Sequence, residues 1–187
     1  MVNAQGVLEA IDYNFYPWGN AYFNTTSCGG PEYDKDRMFC WVQECGHAAS
    51  PPDDCFSGVK LCQHGEDECK ADTLEACVMA VYPNPSDWAR FVTCFEGEYK
   101  SNMSFAAMCA GSHALDWDLI SSCVANETRA QKLDVAIARE TAALGVAKEG
   151  TPWVLINGEH VETSNLLQQV CAAIGDSPQR PVGCEGV

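Results

Sequence analysis

Apolar residues recur at the three- and four-residue spacing of α-helices through the middle of the 187-residue chain. Signals for helix ends accompany this spacing. Ser86 and Asp116 are candidate N-caps, Pro83 cannot continue the helix before it because proline has no N–H, and Gly145 follows the longest helix. A looser stretch lies at 104–108. The pattern therefore predicts four helices, at 72–81, 86–97, 116–123 and 127–144.

Strand signals lie near both ends of the chain. The segment 7–16 alternates apolar and polar residues from Ile11 onward and is rich in β-branched and aromatic side chains, so it is predicted to form a strand. Near the other end, 153–156 is predicted to form a strand, and Asn157-Gly158 is the strongest hairpin signal because both residues tolerate positive φ. A return strand at 160–161 and a helix from Ser164 to Gly175 are expected to follow.

The segment 24–60 lacks this periodicity and is rich in Gly, Pro, Asp and Ser. It is predicted to be a loop-rich insertion held together by two local disulfides. Four cysteines allow three pairings, and the sequence does not choose among them. A short strand or a loop at 56–61 is expected to lead out of the insertion. The four cysteines of the insertion are Cys28, Cys40, Cys45 and Cys55.

Composition places the chain in an oxidising compartment. Twelve cysteines are far too many for a reducing cytosol, and glycosylation sequons at Asn24, Asn102 and Asn126 agree with a secretory or lumenal protein. With 47% hydrophobic residues, the chain can form one domain with its own core. The formal net charge of -15 argues against nucleic acid and anionic membrane surfaces as partners.

Targeting signals disagree with that compartment. No apolar run reaches the roughly 18 residues of a membrane span, and positions 1–6 have neither the basic start nor the apolar core of a signal peptide. We hypothesise that the true N-terminus lies outside this chain. The full-length transcript tests this hypothesis, and an in-frame stop just upstream of Met1 would contradict it.

The most specific string of the chain is Cys-Gln-His-Gly-Glu-Asp-Glu-Cys-Lys-Ala-Asp at 62–72. It resembles the signature of the gamma-interferon-inducible lysosomal thiol reductase family, Cys-Gln-His-Gly-x-x-Glu-Cys-x-x-Asn, with Asp72 in the place of the Asn. Two more segments resemble the family in the same order: 16–21 is similar to its Pro-Tyr-Gly-Asn-Ala, and 151–158 to its Val-Pro-Trp-Val-x-Val-Asn-Gly. The matching signature positions are Cys62, Gln63, His64, Gly65, Glu68 and Cys69.

The resemblance implies a single α/β, thioredoxin-like domain over 1–187 that reduces protein disulfides in acidic lumenal compartments, lysosomal or secreted. Its partners would be disulfide-containing proteins and a small-thiol reductant, and no cofactor is expected. The domain would carry the Cys-rich insertion, a helical insertion at 72–145, and a C-terminal hairpin and helix at 151–175. In the family, the segment matched by 16–21 follows the second strand of the core. The fold is therefore predicted to be incomplete at its N-terminus.

The resemblance also bears on catalysis. The family's redox pair, a C-x-x-C, lies upstream of the segment that 16–21 matches, and no C-x-x-C occurs in this chain. No catalytic residue is therefore predicted, and the chain as written is expected to be inactive. Thr151 and Pro152 resemble the cis-proline loop that faces the redox pair and pairs with an extended substrate. The alternative is a redox-inactive, disulfide-stapled lumenal glycoprotein that binds polypeptides without catalysis.

Cys62 and Cys69 admit three interpretations. We favour a structural disulfide, because nothing basic nearby would lower either thiol pKa and the acidic residues at 66–68 would raise it. A second redox pair is the alternative. His64 is expected to donate to a backbone carbonyl rather than to orient a thiolate. A zinc site is the weakest interpretation, since its cysteines usually lie about two to four residues apart, and no metal is predicted.

The remaining cysteines also have counterparts in the family. Those on the predicted helices are expected to pair among themselves, with no partner chosen, and the last two are expected to tie down the C-terminus. The first group is Cys77, Cys94, Cys109 and Cys123, and the second is Cys171 and Cys184.

Overall fold

The computed structural model describes residues 2–46, 48–97, 103–144, 148, 150–176, 178 and 180–187. Within these residues the protein is predominantly helical, and its short strands form two separate antiparallel pairs. The predictions at Asn102 and Gly145 lie outside the described residues. The helices are α1 (Lys35–Trp41), α2 (Glu66–Val81), α3 (Pro85–Gly97), α4 (Met103–Ser112), α5 (Trp117–Ala125), α6 (Glu127–Ala143) and α7 (Leu166–Ile174). The strands are β1 (Tyr22–Phe23), β2 (Lys60–Leu61), β3 (Val154–Ile156) and β4 (Glu159–Val161).

Helix α2 is the element around which most of the fold packs. It contacts β2 and the four helices that follow it, and Leu74, Cys77 and Val78 are fully buried at its centre. It begins well before the predicted start at 72. Gly65 precedes it with φ +94°, which favours glycine, and three acidic residues occupy the positive end of the helix dipole. The second half of the signature segment is therefore part of this helix.

Helix ends were predictable at some positions and not at others. Asp116 caps α5, since its carboxylate accepts two backbone N–H groups of the first turn. Ser86 is not the cap of α3; Asn84 Oδ1 accepts from the Ser86 N–H at 3.0 Å, and Pro85 takes the first position, where its missing N–H does no harm. The stretch 104–108, predicted to be loose, lies within α4, whose small residues pack closely.

The segment 24–60 is more ordered than the predicted loop. Its two ends are held by β1 and β2, where Tyr22 lies opposite Leu61. Between them lies α1, which the loop interpretation missed. Asp34 caps this helix through a 3.0 Å hydrogen bond from the Arg37 N–H, and buried residues recur along it at helical spacing.

The predicted strand at 7–16 is wrong. Residues Leu8–Ala10 form a 3₁₀ turn, and 11–16 form neither a helix nor a paired strand among the described residues. Burial still alternates along 11–16, and the rings of Tyr13 and Phe15 stack on Trp88 at 5.4 and 6.0 Å. The alternation therefore reports side-chain packing against α3, since a strand also needs a neighbour for its backbone hydrogen bonds.

The C-terminal part follows its prediction closely. β3 and β4 pair with Val154 opposite Val161, and Asn157 and Gly158 both have positive φ, as their hairpin requires. Gly175 ends α7 with φ +74°. Ser164 is not the N-cap, because Asn165 occupies that position in a left-handed conformation. The strands do not join into one sheet in the described residues, so a thioredoxin-like arrangement stays a prediction.

All twelve cysteines form disulfides. The insertion holds two local bridges, Cys62 pairs with Cys69, and the C-terminal pair ties the tail to α7. Two longer bridges join α2 to α5 and α3 to α4. The bridges are Cys28–Cys40, Cys45–Cys55, Cys62–Cys69, Cys77–Cys123, Cys94–Cys109 and Cys171–Cys184.

Candidate functional site

The signature segment forms a small disulfide loop at the start of α2. The Cys62–Cys69 bridge spans the Gly65 turn, with Cys62 buried and Cys69 half-buried. His64 is exposed and contacts Glu68: its backbone N–H donates to Glu68 Oε2 at 2.6 Å, and its Nδ1 lies 3.4 Å from the same oxygen. The conformation of the loop is therefore held by a carboxylate of the helix that the loop precedes, and His64 points to that carboxylate.

The signature loop contacts the segment 16–21, a second stretch that resembles the family. Asn20 Nδ2 donates to Gln63 Oε1 at 2.8 Å. Gly19 has φ +55°, and a Cβ at that position would lie 3.4 Å from Glu68 Oε1. Two stretches that are far apart in sequence thus form one surface, and the positive φ at position 19 favours glycine there.

Beneath this surface lies a buried cluster of one cation and two acids. Lys60 Nζ lies 3.0 Å from Asp72 Oδ2 and 3.5 Å from Asp134 Oδ1, and the Lys60 side chain is only 8% exposed. Thr73 donates to the other oxygen of Asp134 at 2.9 Å, while the Lys60 ammonium lies 4.6 Å from the centre of the Trp18 ring. The ammonium is therefore enclosed by two carboxyl groups and an aromatic face.

The cluster touches both sulfurs of the signature disulfide. Cys62 Sγ lies 3.9 Å from Asp72 Oδ2, and Cys69 Sγ lies 3.6 Å from the carbonyl oxygen of Lys60. The expectation that nothing basic lies near these cysteines is therefore wrong. Lys60 is only two positions before Cys62 in the sequence, but its side chain reaches the disulfide through a carboxylate on α2, which only the fold reveals.

Burial changes the acidity of this cluster. It raises the pKa of Asp72 from 3.8 to about 6, because desolvation of the carboxylate outweighs the attraction of the Lys60 ammonium. Burial also raises the pKa of Asp134. On the next turn of α2, burial raises the pKa of Glu75 well above its ordinary value, and the carboxyl group of Glu96 raises it further. One ammonium thus lies near several acids whose pKa values are raised by burial.

The proline loop lies at a different place in the fold. The Thr151–Pro152 peptide bond is cis, as expected, and both residues are exposed immediately before β3. The next residue, Trp153, stacks its ring on His160 of β4 at 3.7 Å. Among the residues that the structure describes, no hydrogen bond or ion pair joins Thr151 or Pro152 to the signature segment.

The two described sequons differ in their surroundings. Asn24 is half-buried, and its amide both donates to the Gly30 carbonyl at 3.1 Å and accepts from the Gly30 N–H at 2.9 Å. Asn126 is exposed and caps α6 through its side-chain oxygen, which accepts from the Arg129 N–H. A glycan is attached through the amide nitrogen, which Asn24 uses for its hydrogen bond. Asn126 is therefore the better-disposed acceptor.

The zinc hypothesis has no thiolates to draw on in this structure. Cys62 and Cys69 are joined to each other, whereas zinc binds the thiolate form of cysteine. Cys28, Cys40 and Glu44 form the one cluster of possible metal ligands among the described residues, and its two cysteines are also joined in a disulfide.

No described helix is long and apolar enough to cross a membrane.

Comparison with known proteins agrees with the resemblance seen in the motifs. The family model of gamma interferon inducible lysosomal thiol reductase (GILT) matches residues 45–113. The chain is 31% identical over 145 residues to a gamma-interferon-inducible lysosomal thiol reductase of Carassius auratus, covering 73% of this chain and 55% of that protein. It is 31% identical over 128 residues to a gamma-interferon-responsive lysosomal thiol protein of Arabidopsis thaliana, covering 66% of this chain and 52% of that protein.

A third relative, a GILT-like protein of Caenorhabditis elegans, is 30% identical over 125 residues, covering 66% of this chain and 56% of that protein. The chain spans about half the length of the curated relatives it matches. No solved structure matches it. The signature loop and the named relatives indicate a family of thiol reductases. The chain belongs to the gamma-interferon-inducible lysosomal thiol reductase family.

Proposed function

We propose that this chain is the substrate-holding part of a thiol–disulfide oxidoreductase that reduces protein disulfides through a mixed disulfide, in a lysosomal or secreted setting. The redox pair lies outside these 187 residues, since the sequence contains no C-x-x-C. Electrons come from a small-thiol reductant. The chain by itself is inactive toward protein disulfides.

The proline loop carries this proposal. Thr151 is exposed just ahead of the β3–β4 hairpin, so its backbone N–H and C=O are open to pairing with an extended polypeptide. Leu155 on the following strand is 41% exposed and offers an apolar contact beside that backbone. An extended segment around a disulfide is the form of substrate that such an edge accepts.

A disulfide-linked reporter peptide with a quenched dye tests the proposal. The chain as written is expected to give no turnover with a small thiol, whereas the same chain preceded by its upstream coding sequence is expected to reduce the reporter. Replacement of an upstream C-x-x-C by Ser-x-x-Ser is the matched control and should abolish the reduction. Turnover by the chain as written that is lost on replacing one of its own cysteines would contradict the proposal.

A redox-inactive binding protein is the second candidate. The observation that favours it is the pairing of all twelve cysteines in disulfides, which leaves no thiol for exchange. Under this alternative, the complete protein binds unfolded polypeptides across the same loop without reducing them. Replacing Pro152 by Ala would then weaken peptide binding, and the complete protein would still show no turnover.

A further inference from the structure

We propose that the Cys62–Cys69 disulfide is itself a redox site, which small thiols open by attack on Cys69 while Asp72 supplies the proton to Cys62. The site would make the start of α2 responsive to the thiol content of the compartment. This inference does not depend on the proposed function, because it needs neither a C-x-x-C nor a protein substrate.

Accessibility selects the sulfur that is attacked. Cys62 is 3% exposed, whereas Cys69 is half-buried near the exposed first turn of α2. A small thiolate can therefore reach Cys69 Sγ, and Cys62 is the leaving sulfur.

The leaving sulfur is the one beside the acid. Asp72 Oδ2 lies 3.9 Å from Cys62 Sγ, within reach of a proton transfer, and the Asp72 side chain is only 13% exposed. When Asp72 has given up its proton, the Lys60 ammonium at 3.0 Å stabilises the carboxylate that remains. The arrangement thus stabilises the products of the step, a neutral thiol on Cys62 and an ion pair between Lys60 and Asp72.

The chemistry balances without any further reactant. The thiolate of a small thiol forms a bond to Cys69 Sγ, the Cys62–Cys69 bond breaks with its electron pair on Cys62, and Asp72 transfers its proton to Cys62. A second thiolate then attacks the small-thiol sulfur of the mixed disulfide, and Cys69 leaves with the electron pair and takes a proton from water. Two small thiols are oxidised to their disulfide, and Cys62 and Cys69 are reduced.

Several charged groups set the pH range in which Asp72 holds its proton. Lys60 on β2 favours the carboxylate, while Asp134 on α6 and Glu68 on α2 itself favour the neutral acid. Glu75, one turn further along α2, is a buried acid whose pKa is also raised. Burial raises the Asp72 pKa to about 6. Asp72 therefore holds its proton in acidic conditions and has mostly lost it near neutral pH.

The test is the rate of reduction of this one disulfide in the full chain, with cysteine as the small thiol. Reaction at pH 5 to 8 is stopped with acid, new thiols are alkylated, and the peptide containing Cys62 and Cys69 is quantified by mass spectrometry. Rates are divided by the concentration of cysteine thiolate at each pH. The wild-type rate per thiolate is expected to fall at least about tenfold from pH 5 to pH 8, the size typical of lost general acid catalysis.

Asp72→Asn keeps the shape of the side chain and removes the proton. It is expected to slow the reaction at least about tenfold at pH 5 and to give a flat profile. Asp134→Asn is the matched control, because it removes the charge of the other acid that contacts Lys60. The Asp134 charge raises the Asp72 pKa, so without it the rate per thiolate should still fall with pH, but with a midpoint at lower pH. The Cys94–Cys109 bridge, which also joins a half-buried and a buried cysteine, reports folding, and Asp72→Asn should leave its rate unchanged.

A wild-type rate per thiolate that stays constant from pH 5 to pH 8 would overturn the proposal without any variant. Equal profiles for the wild type and for Asp72→Asn would overturn it as well. If Asp72→Asn also accelerates reduction of Cys94–Cys109, the variant is unfolding, and the wild-type profile together with that of Asp134→Asn decides the matter.

Discussion

Asp72 makes the stability of this protein depend on pH, and the dependence can be isolated by one substitution. Its pKa is raised from 3.8 to about 6 in the folded protein because the carboxylate is desolvated. A raised folded-state pKa means that the stabilisation is fully present below the pKa of the unfolded chain and is lost as the pH rises through the folded value. The window for Asp72 therefore runs from about pH 4 to about pH 6.

The magnitude follows from the shift. Each pKa unit corresponds to about 1.4 kcal/mol, so Asp72 alone destabilises the protein by about 3 kcal/mol at neutral pH relative to strong acid. Most of this falls between pH 4 and pH 7. The side chain is only 13% exposed, so solvent screening removes little of it. Buried Asp134 and Glu75 act in the same direction, which is why a difference between variants is needed.

Urea unfolding of the oxidised wild type and of Asp72→Asn at pH 4 and pH 7 measures this contribution. The loss of unfolding free energy between the two pH values should be smaller in the variant by about 2 kcal/mol. Asp67→Asn, on the exposed face of the same helix, is the control and should leave the pH dependence within about 0.5 kcal/mol of wild type. A difference below about 1 kcal/mol for Asp72→Asn would refute the reasoning.

Three further outcomes are expected. Glu75→Gln should reduce the decline of unfolding free energy between pH 5 and pH 8, because it removes a buried acid whose pKa is raised; an unchanged decline would contradict its burial. In a secreting host, Asn126→Gln should lower the mass of the protein by one glycan, whereas Asn24→Gln should leave the mass unchanged and lower the melting temperature through its lost bonds to Gly30. Replacing Cys77 and Cys123 by serine opens a loop of 46 residues and should lower the free energy of unfolding in urea by about 4 kcal/mol. Replacing Cys62 and Cys69 opens a loop of 7 residues and should lower it by about 2.3 kcal/mol.

Local signals predicted the parts of the fold whose causes are local. Asn157-Gly158 defines its hairpin through backbone conformation alone, and Asp116 caps α5 through its own neighbours. The segment 11–16 has the alternation of a strand, yet its structure depends on a pairing partner that no local pattern supplies. The helix predicted to begin at 72 begins at Glu66, and the acidic residues at 66–68 suit the first turn of a helix.

The buried cluster at Lys60 could not be predicted in this way. Twelve positions separate Lys60 from Asp72, and 62 positions separate Asp72 from Asp134. Each residue alone would be interpreted as a charge on the surface. One sign was present in the sequence: Lys60 stands between Val59 and Leu61, in a short apolar stretch just before the signature. Only the packing of α6 against α2 shows that its ammonium is enclosed.

The substitution of Asp72 for the family's usual Asn bears on where the protein works. An asparagine would fit the same site without titrating, whereas the aspartate costs about 3 kcal/mol once it is ionised, a large part of the stability of a typical domain. That cost decreases as the pH falls from about 6 to about 4, and it is absent below the pKa of the unfolded chain, where Asp72 is neutral in both states. An aspartate here is thus best tolerated in an acidic compartment, which supports the proposed lysosomal setting. There it also holds the proton that the neighbouring Cys62 would receive.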